Sequence, residues 1–169
     1  QNSHVTIQTQ ATPHQIHGQT RYDEGANFTV EAANYDNFVF SHWIINGVED
    51  AGATVNPYPV NDISQDMTFE PVYTPTYRVR LYKNPTNANV TLEGAGEGYL
   101  AGTQVTVRAT YDQTLYEFNG WLATGTTTPY LSTNAEYTFT INGNTDLTAD
   151  FTQLTQYGTV ITSVVGQTT

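Results

Sequence analysis

From Phe28 to Ala32, apolar and polar side chains take turns: Phe28, Val30 and Ala32 alternate with Thr29 and Glu31. The pattern returns where Val105, Val107 and Ala109 alternate with Thr106 and Arg108. A period of two marks a strand with one buried face. "HVTIQT" and "YRVRLY" are expected to be strands that open two copies of one unit, and "EYTFTI" and "DLTADF" to close the second copy. No segment of ten residues carries a helical stripe. Gly25, Gly102, Gly120, Gly125 and the run "GAGEG" (94–98) break the strands as turns. The expected class is all-β, with small sheet or sandwich-like units.

The pattern is written twice. "YDEGANFTVEA" (22–32) and "YLAGTQVTVRA" (99–109) both read Tyr-x-x-Gly-x-x-apolar-Thr-Val-x-Ala. Then "FVFSHWIING" (38–47) and "YEFNGWLATG" (116–125) share aromatic-x-Phe-x-x-Trp-x-x-x-Gly, and hold the only tryptophans, Trp43 and Trp121. Their separation, 121 − 43, sets a period of 78. Thirty residues after each tryptophan stand Tyr73 and Phe151. A repeat of this kind is a tandem structural unit whose copies each need their own core. The expected organisation is a β-repeat domain at 1–74, a second at 75–153, and a C-terminal strand or tail at 154–169. "TPT" (74–76) is the expected linker.

Each copy's core is expected to be anchored by its tryptophan, phenylalanine and tyrosine: Trp43, Phe40 and Tyr22, then Trp121, Phe118 and Tyr99. Tryptophan is usually largely buried, which favours core anchoring over a sugar-stacking platform. In an unbulged strand Phe40 and Trp43, three apart, point to opposite faces. One then fills the core, and the other lies at a surface or a seam.

Past Phe151 the chain continues as "TQLTQYGTVITSVVGQTT", with Tyr157 repeating the place of Tyr77. Val160 and Val164 lie on one face of this stretch, Ile161 and Val165 on the other. A lone strand apolar on both faces is an aggregation hazard. These four residues form the candidate self-association strand. It is expected either to fold back as an edge strand or to complete a sheet of the next subunit. Head-to-tail donation does not close on itself and builds a filament.

Charge removes two partner classes. Five basic residues against 16 acidic ones leave a net charge of −11. That balance opposes nucleic-acid binding and an electrostatic grip on anionic membranes. No run approaches the roughly 18 apolar residues of a membrane span, so membrane insertion is not expected. With no cysteine in the chain, disulfides and thiolate metal sites are excluded. Opening on Gln1 rather than Met fits removal of a leader. An acidic Thr- and Asn-rich chain with one lysine, Lys83, fits an extracellular or cell-surface location.

Candidate chemistry is thin. His14 and His17 have a spacing that binds metals on helices, but "PHQIH" is expected to be a polar loop. The pairs Asp23–Glu24 and Glu49–Asp50 lack the spacing of a calcium loop. Ser41 adjoins His42, but strand neighbours point to opposite faces and should not form a nucleophile–base pair. Lys83 is the single lysine open to an isopeptide crosslink. Asn27 ("NFT") and Asn89 ("NVT") satisfy the glycosylation sequon, and Asn89 is the better candidate because Asn27 opens a strand that leads inward. No cofactor, no metal and no enzymatic activity are expected.

Together these residues resemble the divergent internalin-type B-repeat domains of prokaryotic surface proteins. That family runs from a first strand to Tyr-x-x-Gly-x-x-Val-x-Val-x-Ala, then a Phe-x-x-Trp strand, and closes on apolar-x-Ala-x-Phe. Copy two fits through Tyr99, Gly102, Val105, Val107, Ala109, Phe118, Gly120, Trp121, Ala149 and Phe151. Copy one keeps Tyr22, Gly25, Val30, Ala32, Phe40 and Trp43, but has His42 for Gly and Pro71 for Ala. The resemblance implies a module of a long exported protein, with no catalytic residues to carry over. The expected function is a non-catalytic rod, spacer or filament subunit whose partners are copies of itself or flanking domains. The alternative is an adhesive or carbohydrate-binding module with a glycan as partner.

Overall fold

The computed structural model describes residues 5–155, and the described residues form strands and turns without a helix. The first eight strands are β1 (Val5–Thr9), β2 (His14–Ile16), β3 (Gln19–Arg21), β4 (Phe28–Ala32), β5 (Phe38–Ile45), β6 (Val48–Asp50), β7 (Tyr58–Val60) and β8 (Phe69–Pro75). The other seven are β9 (Tyr77–Asn84), β10 (Thr91–Glu93), β11 (Gly96–Tyr99), β12 (Thr103–Thr110), β13 (Tyr116–Ala123), β14 (Glu136–Ile141) and β15 (Thr145–Gln153). The chain divides into two compact units. One takes the residues up to Tyr77 with Glu97–Thr103, the other Arg78–Gly96 and the residues from Gln104 onward.

In the first unit β1, β4 and β7 form one sheet, and β6, β5 and β8 another. The alternation read in the sequence becomes burial: Phe28, Val30 and Ala32 are buried on β4. Trp43, fully buried, joins them with Ala53 and Val60. Asn46 and Gly47, both at positive φ, make the two-residue turn between β5 and β6, a conformation that suits a hairpin. His17 and Gly18 do the same between β2 and β3. "PHQIH" is therefore one arm of a hairpin rather than an irregular loop, with His14 opposite Arg21.

In the second unit β10, β12 and β14 form one sheet, while β9, β15 and β13 stand side by side in the other. Val105, Val107 and Ala109 of β12 are buried. Its outer face is laced to β14, with Thr106 Oγ1 2.7 Å from Thr138 Oγ1 and Gln104 Nε2 donating to Thr140 Oγ1 at 2.9 Å. Such cross-strand pairs stabilise a sheet on its wet side.

Two strand assignments differ from expectation. β1 and β9 do not hold the same place. β1 lies antiparallel to β4, as β10 does to β12. β9 instead runs parallel to β15. The matching place beside β8 holds no strand among the described residues, since β8 ends its sheet. Alternation alone identifies a strand but says nothing of its neighbour, which is why the two openings looked alike.

The second difference is a bulge in each Phe-x-x-Trp strand. Phe40 faces Tyr73 while His42 faces Val72, leaving Ser41 as the extra residue. Phe118 faces Phe151 while Gly120 faces Asp150, leaving Asn119. An extra residue shifts the side-chain alternation by one. Phenylalanine and tryptophan therefore share a face, with ring centroids 5.2 Å apart for Phe40–Trp43 and 5.9 Å for Phe118–Trp121.

Candidate functional site

Both tryptophans are fully buried and tied at the indole nitrogen. Trp43 Nε1 donates to the Val55 carbonyl at 3.0 Å, and Trp121 Nε1 to the Ala135 carbonyl at 3.2 Å. Buried indoles satisfied by backbone are core anchors and offer no stacking face. Phe40, Phe118, Tyr22 and Tyr99 are half-buried. Tyr22 stacks on Phe28 with centroids 6.0 Å apart.

The bulge also changes Ser41 and His42. The Ser41 hydroxyl lies 2.9 Å from His42 Nδ1, although they are neighbours in a strand. His42 Nε2 is 3.2 Å from Glu49 Oε1 on β6. The expectation that strand neighbours could not meet was wrong, because the extra residue turns Ser41 out of the alternation. Only the Ser41–His42 contact is a hydrogen bond; His42 Nε2 lies near Glu49 without making one.

The remaining candidates stay apart. His14 Nε2 pairs with Asp23 Oδ1 at 3.3 Å on the exposed hairpin, and Asp50 Oδ1 accepts the Gly52 amide at 2.9 Å. Among the described residues no three His, Asp or Glu side chains converge as a metal site would require. Lys83 Nζ donates to the Ala88 carbonyl. Asn27 is exposed but its Oδ1 accepts the Asp62 amide at 2.8 Å, while the buried Phe28 fills the middle of its sequon. Asn89 is exposed, and its backbone amide donates to the Tyr116 hydroxyl at 3.1 Å. The self-association strand, Val160, Ile161, Val164 and Val165, lies outside the described residues.

Sequence reading missed a feature of the first unit: a groove of about 580 Å³ beside the start of β8. Ile7, Tyr22, Phe28, Ile63, Met67 and Phe69 give it apolar walls, and the exposed Arg21, Glu24 and Asp66 border it. Arg21 Nη1 stands 3.4 Å from Asp66 Oδ1. Next to the groove runs the edge of β8 that has no partner strand among the described residues. Thr76 donates to the Asn37 carbonyl at 2.7 Å, and Asn46 to the Thr68 carbonyl at 3.0 Å. Even-numbered residues along β8 thus point their backbone groups at β5. Phe69, Pro71, Tyr73 and Pro75 point theirs outward. Pro71 sits opposite Trp43, the register of Ala149 opposite Trp121. It is tolerated because the amide it lacks would face the open edge.

The second unit shows what closes such a groove. There β9 lies along β15, and its Val79 is 2% exposed. Ile141 and Leu147, each 78 positions after Ile63 and Phe69, are 0% and 1% exposed. In the first unit Ile63 and Phe69 stay half-buried. Among the described residues the groove is therefore the open end of a core that β9 covers in the other copy. Only the pairing of β9 with β15 reveals the difference, which strand alternation does not carry.

Asp150 adds an electrostatic detail at the back of the second unit. Asn84 Nδ2, Asn119 Nδ2 and the Tyr130 hydroxyl donate to its carboxylate at 2.6, 2.9 and 2.8 Å. Burial pushes its pKa up, but the three donors outweigh that and hold it below the usual carboxylate value.

Comparison with known families places residues 80–155 in agreement with the model of the divergent InlB B-repeat domain. No curated protein and no solved structure matches the chain.

Proposed function

We propose that this chain, whose second repeat is a divergent InlB B-repeat domain, is a non-catalytic structural module of an exported or cell-surface protein that self-associates by β-strand addition. One observation carries the structural reading. The phrase written twice in the sequence resolves into two buried indoles, each fixed by a backbone carbonyl. That burial supports an architectural reason for the repetition of the phrase. B-repeat domains typically occur in surface or exported bacterial proteins, which supports the location. Assembly draws its support from a strand edge left open among the described residues, beside an apolar groove in the first unit, and from a doubly apolar segment after Phe151.

The test compares the full chain with a variant lacking residues 157–169 by sedimentation and electron microscopy. The full chain is expected to form concentration-dependent head-to-tail oligomers. The shortened chain is expected to keep its β-sheet circular dichroism and run as a monomer. A full chain that stays monomeric at high concentration sinks the assembly reading.

A further inference from the structure

We propose that the groove between β8 and Phe28 is an acceptor for one β-strand, filled by residues 157–164 of a second copy of this chain running parallel to β8. The proposal rests on the self-association reading above and assigns its acceptor, direction and register.

Three observations converge on it. Among the described residues β8 has a partner on one side only, whereas its counterpart β15 carries β13 on one side and β9, in parallel, on the other. The side left open on β8 adjoins the groove where Ile63 and Phe69 lack the seal that Val79 gives the second unit. Finally, the 14 residues after Thr155 (169 − 155) are enough for a strand as long as β9, which has eight. Strand addition joins main-chain bonding to side-chain pockets, and both halves of that arrangement stand ready here.

The register follows from the repeat. In the second unit Leu147 pairs with Leu81, and Thr148 with Tyr82. Tyr157 stands six residues after Phe151 where Tyr77 stands four after Tyr73, so the tail enters two residues later than the 78-residue period; with Tyr157 aligned on Tyr77, positions 81 and 82 become 161 and 162. Moved back by 78, Leu147 and Thr148 become Phe69 and Glu70. Ile161 of the incoming strand then lies against Phe69 at the mouth of the groove, and Thr162 stands beside Glu70 on the exposed face. Pro71 withholds one backbone donor from the new ladder, which makes the joint weaker than the β9–β15 pairing it copies.

The chain contains no cysteine, so a disulfide can report the joint. Full-length Glu70→Cys and Thr162→Cys chains are mixed and oxidised mildly, with Glu93→Cys replacing Glu70→Cys as the control partner. Both positions are expected to tolerate the change, since Glu70 is exposed and the tail is dispensable for folding in the proposal. The expected result is a covalent heterodimer for the first mixture, at least tenfold above the control. In a chain carrying both substitutions, a crosslink that stays within one molecule at high dilution overturns the proposal in favour of a tail folded on its own unit. If the chains associate but crosslink no better than the control, the acceptor is wrong while the assembly reading survives. If no association occurs at any concentration, both fall together.

Discussion

Phe118 and Trp121 meet with ring centroids 5.9 Å apart at a 67° interplanar angle, though three positions separate them along one strand. The bulge at Asn119 is the cause. Phe151 joins from the neighbouring strand, 5.2 Å from Phe118. Removing the buried indole leaves a cavity beside these aromatics and takes one of two donors from the Ala135 carbonyl, which keeps the Ala109 amide. Trp121→Ala is expected to lower stability by about 3–5 kcal/mol, a large part of what a small domain has. Trp43→Ala should cost a similar amount in the first unit. Urea denaturation followed by circular dichroism checks both. A wild-type midpoint for Trp121→Ala would mean that the indole is not a core anchor.

What the sequence disclosed and what it hid divide along physical lines. The alternation over Phe28–Ala32 and Val105–Ala109 reports burial directly, so the strands and their inward faces were legible. The duplication located both core tryptophans. Bulges were not legible, because Ser41 and Asn119 become extra residues only through their pairing with β8 and β15. That is why Phe40 and Trp43 were expected on opposite faces and Ser41 was expected to miss His42. The groove was hidden for the same reason. Val5–Thr9 and Tyr77–Asn84 are both good strand sequences, and only the sheet order separates a strand packed on β4 from one packed on β15.

Gly120 leaves no room for a side chain. A Cβ there would lie 2.6 Å from Tyr130 Cδ1 and 2.7 Å from the Ser132 carbonyl oxygen. That carbonyl accepts the Trp121 amide at 2.8 Å, so it cannot retreat without loosening the tryptophan. Gly120→Ala is expected to cost about 1–3 kcal/mol in a denaturation experiment. Combining it with Tyr130→Ala should cost less than the sum of the two, because part of the clash is gone. Strict additivity would exclude Tyr130 as the obstacle.

Asp150 gives the second unit an acid-sensitive joint. Its folded pKa lies below the unfolded value, since the Asn119, Asn84 and Tyr130 donors overcome the opposing effect of burial. A depressed folded pKa contributes stability that is complete above the unfolded value and lost as pH falls through the folded one. The stability gap between wild type and Asp150→Asn should therefore be widest near neutrality and narrow through the acidic carboxylate range. Denaturant titrations across pH measure it. A gap that widens in acid contradicts the assignment.

One substitution should act in opposite senses at matched places in the two units. Pro71 and Ala149 both stand opposite the buried tryptophan of their unit. The Trp121 amide donates to Ser132 and its carbonyl accepts from Leu131, both on the side away from β15. Ala149 therefore directs its own amide at β9, where a parallel ladder uses it. Pro71 occupies the same outward position on β8, where its ring withholds a donor from the open edge and restrains pairing. Ala149→Pro removes a bond from a buried ladder and is expected to destabilise the second unit by about 3 kcal/mol or more. Pro71→Ala restores a donor at an edge with no strand beside it among the described residues, so the isolated chain should change little in stability. Its effect belongs to assembly: one added backbone hydrogen bond, worth about 0.5–1.5 kcal/mol, should tighten self-association about two- to tenfold. Sedimentation equilibrium on wild type and Pro71→Ala measures the difference. Unchanged association, with the fold intact, would show that the outward edge of β8 takes no part in the contact.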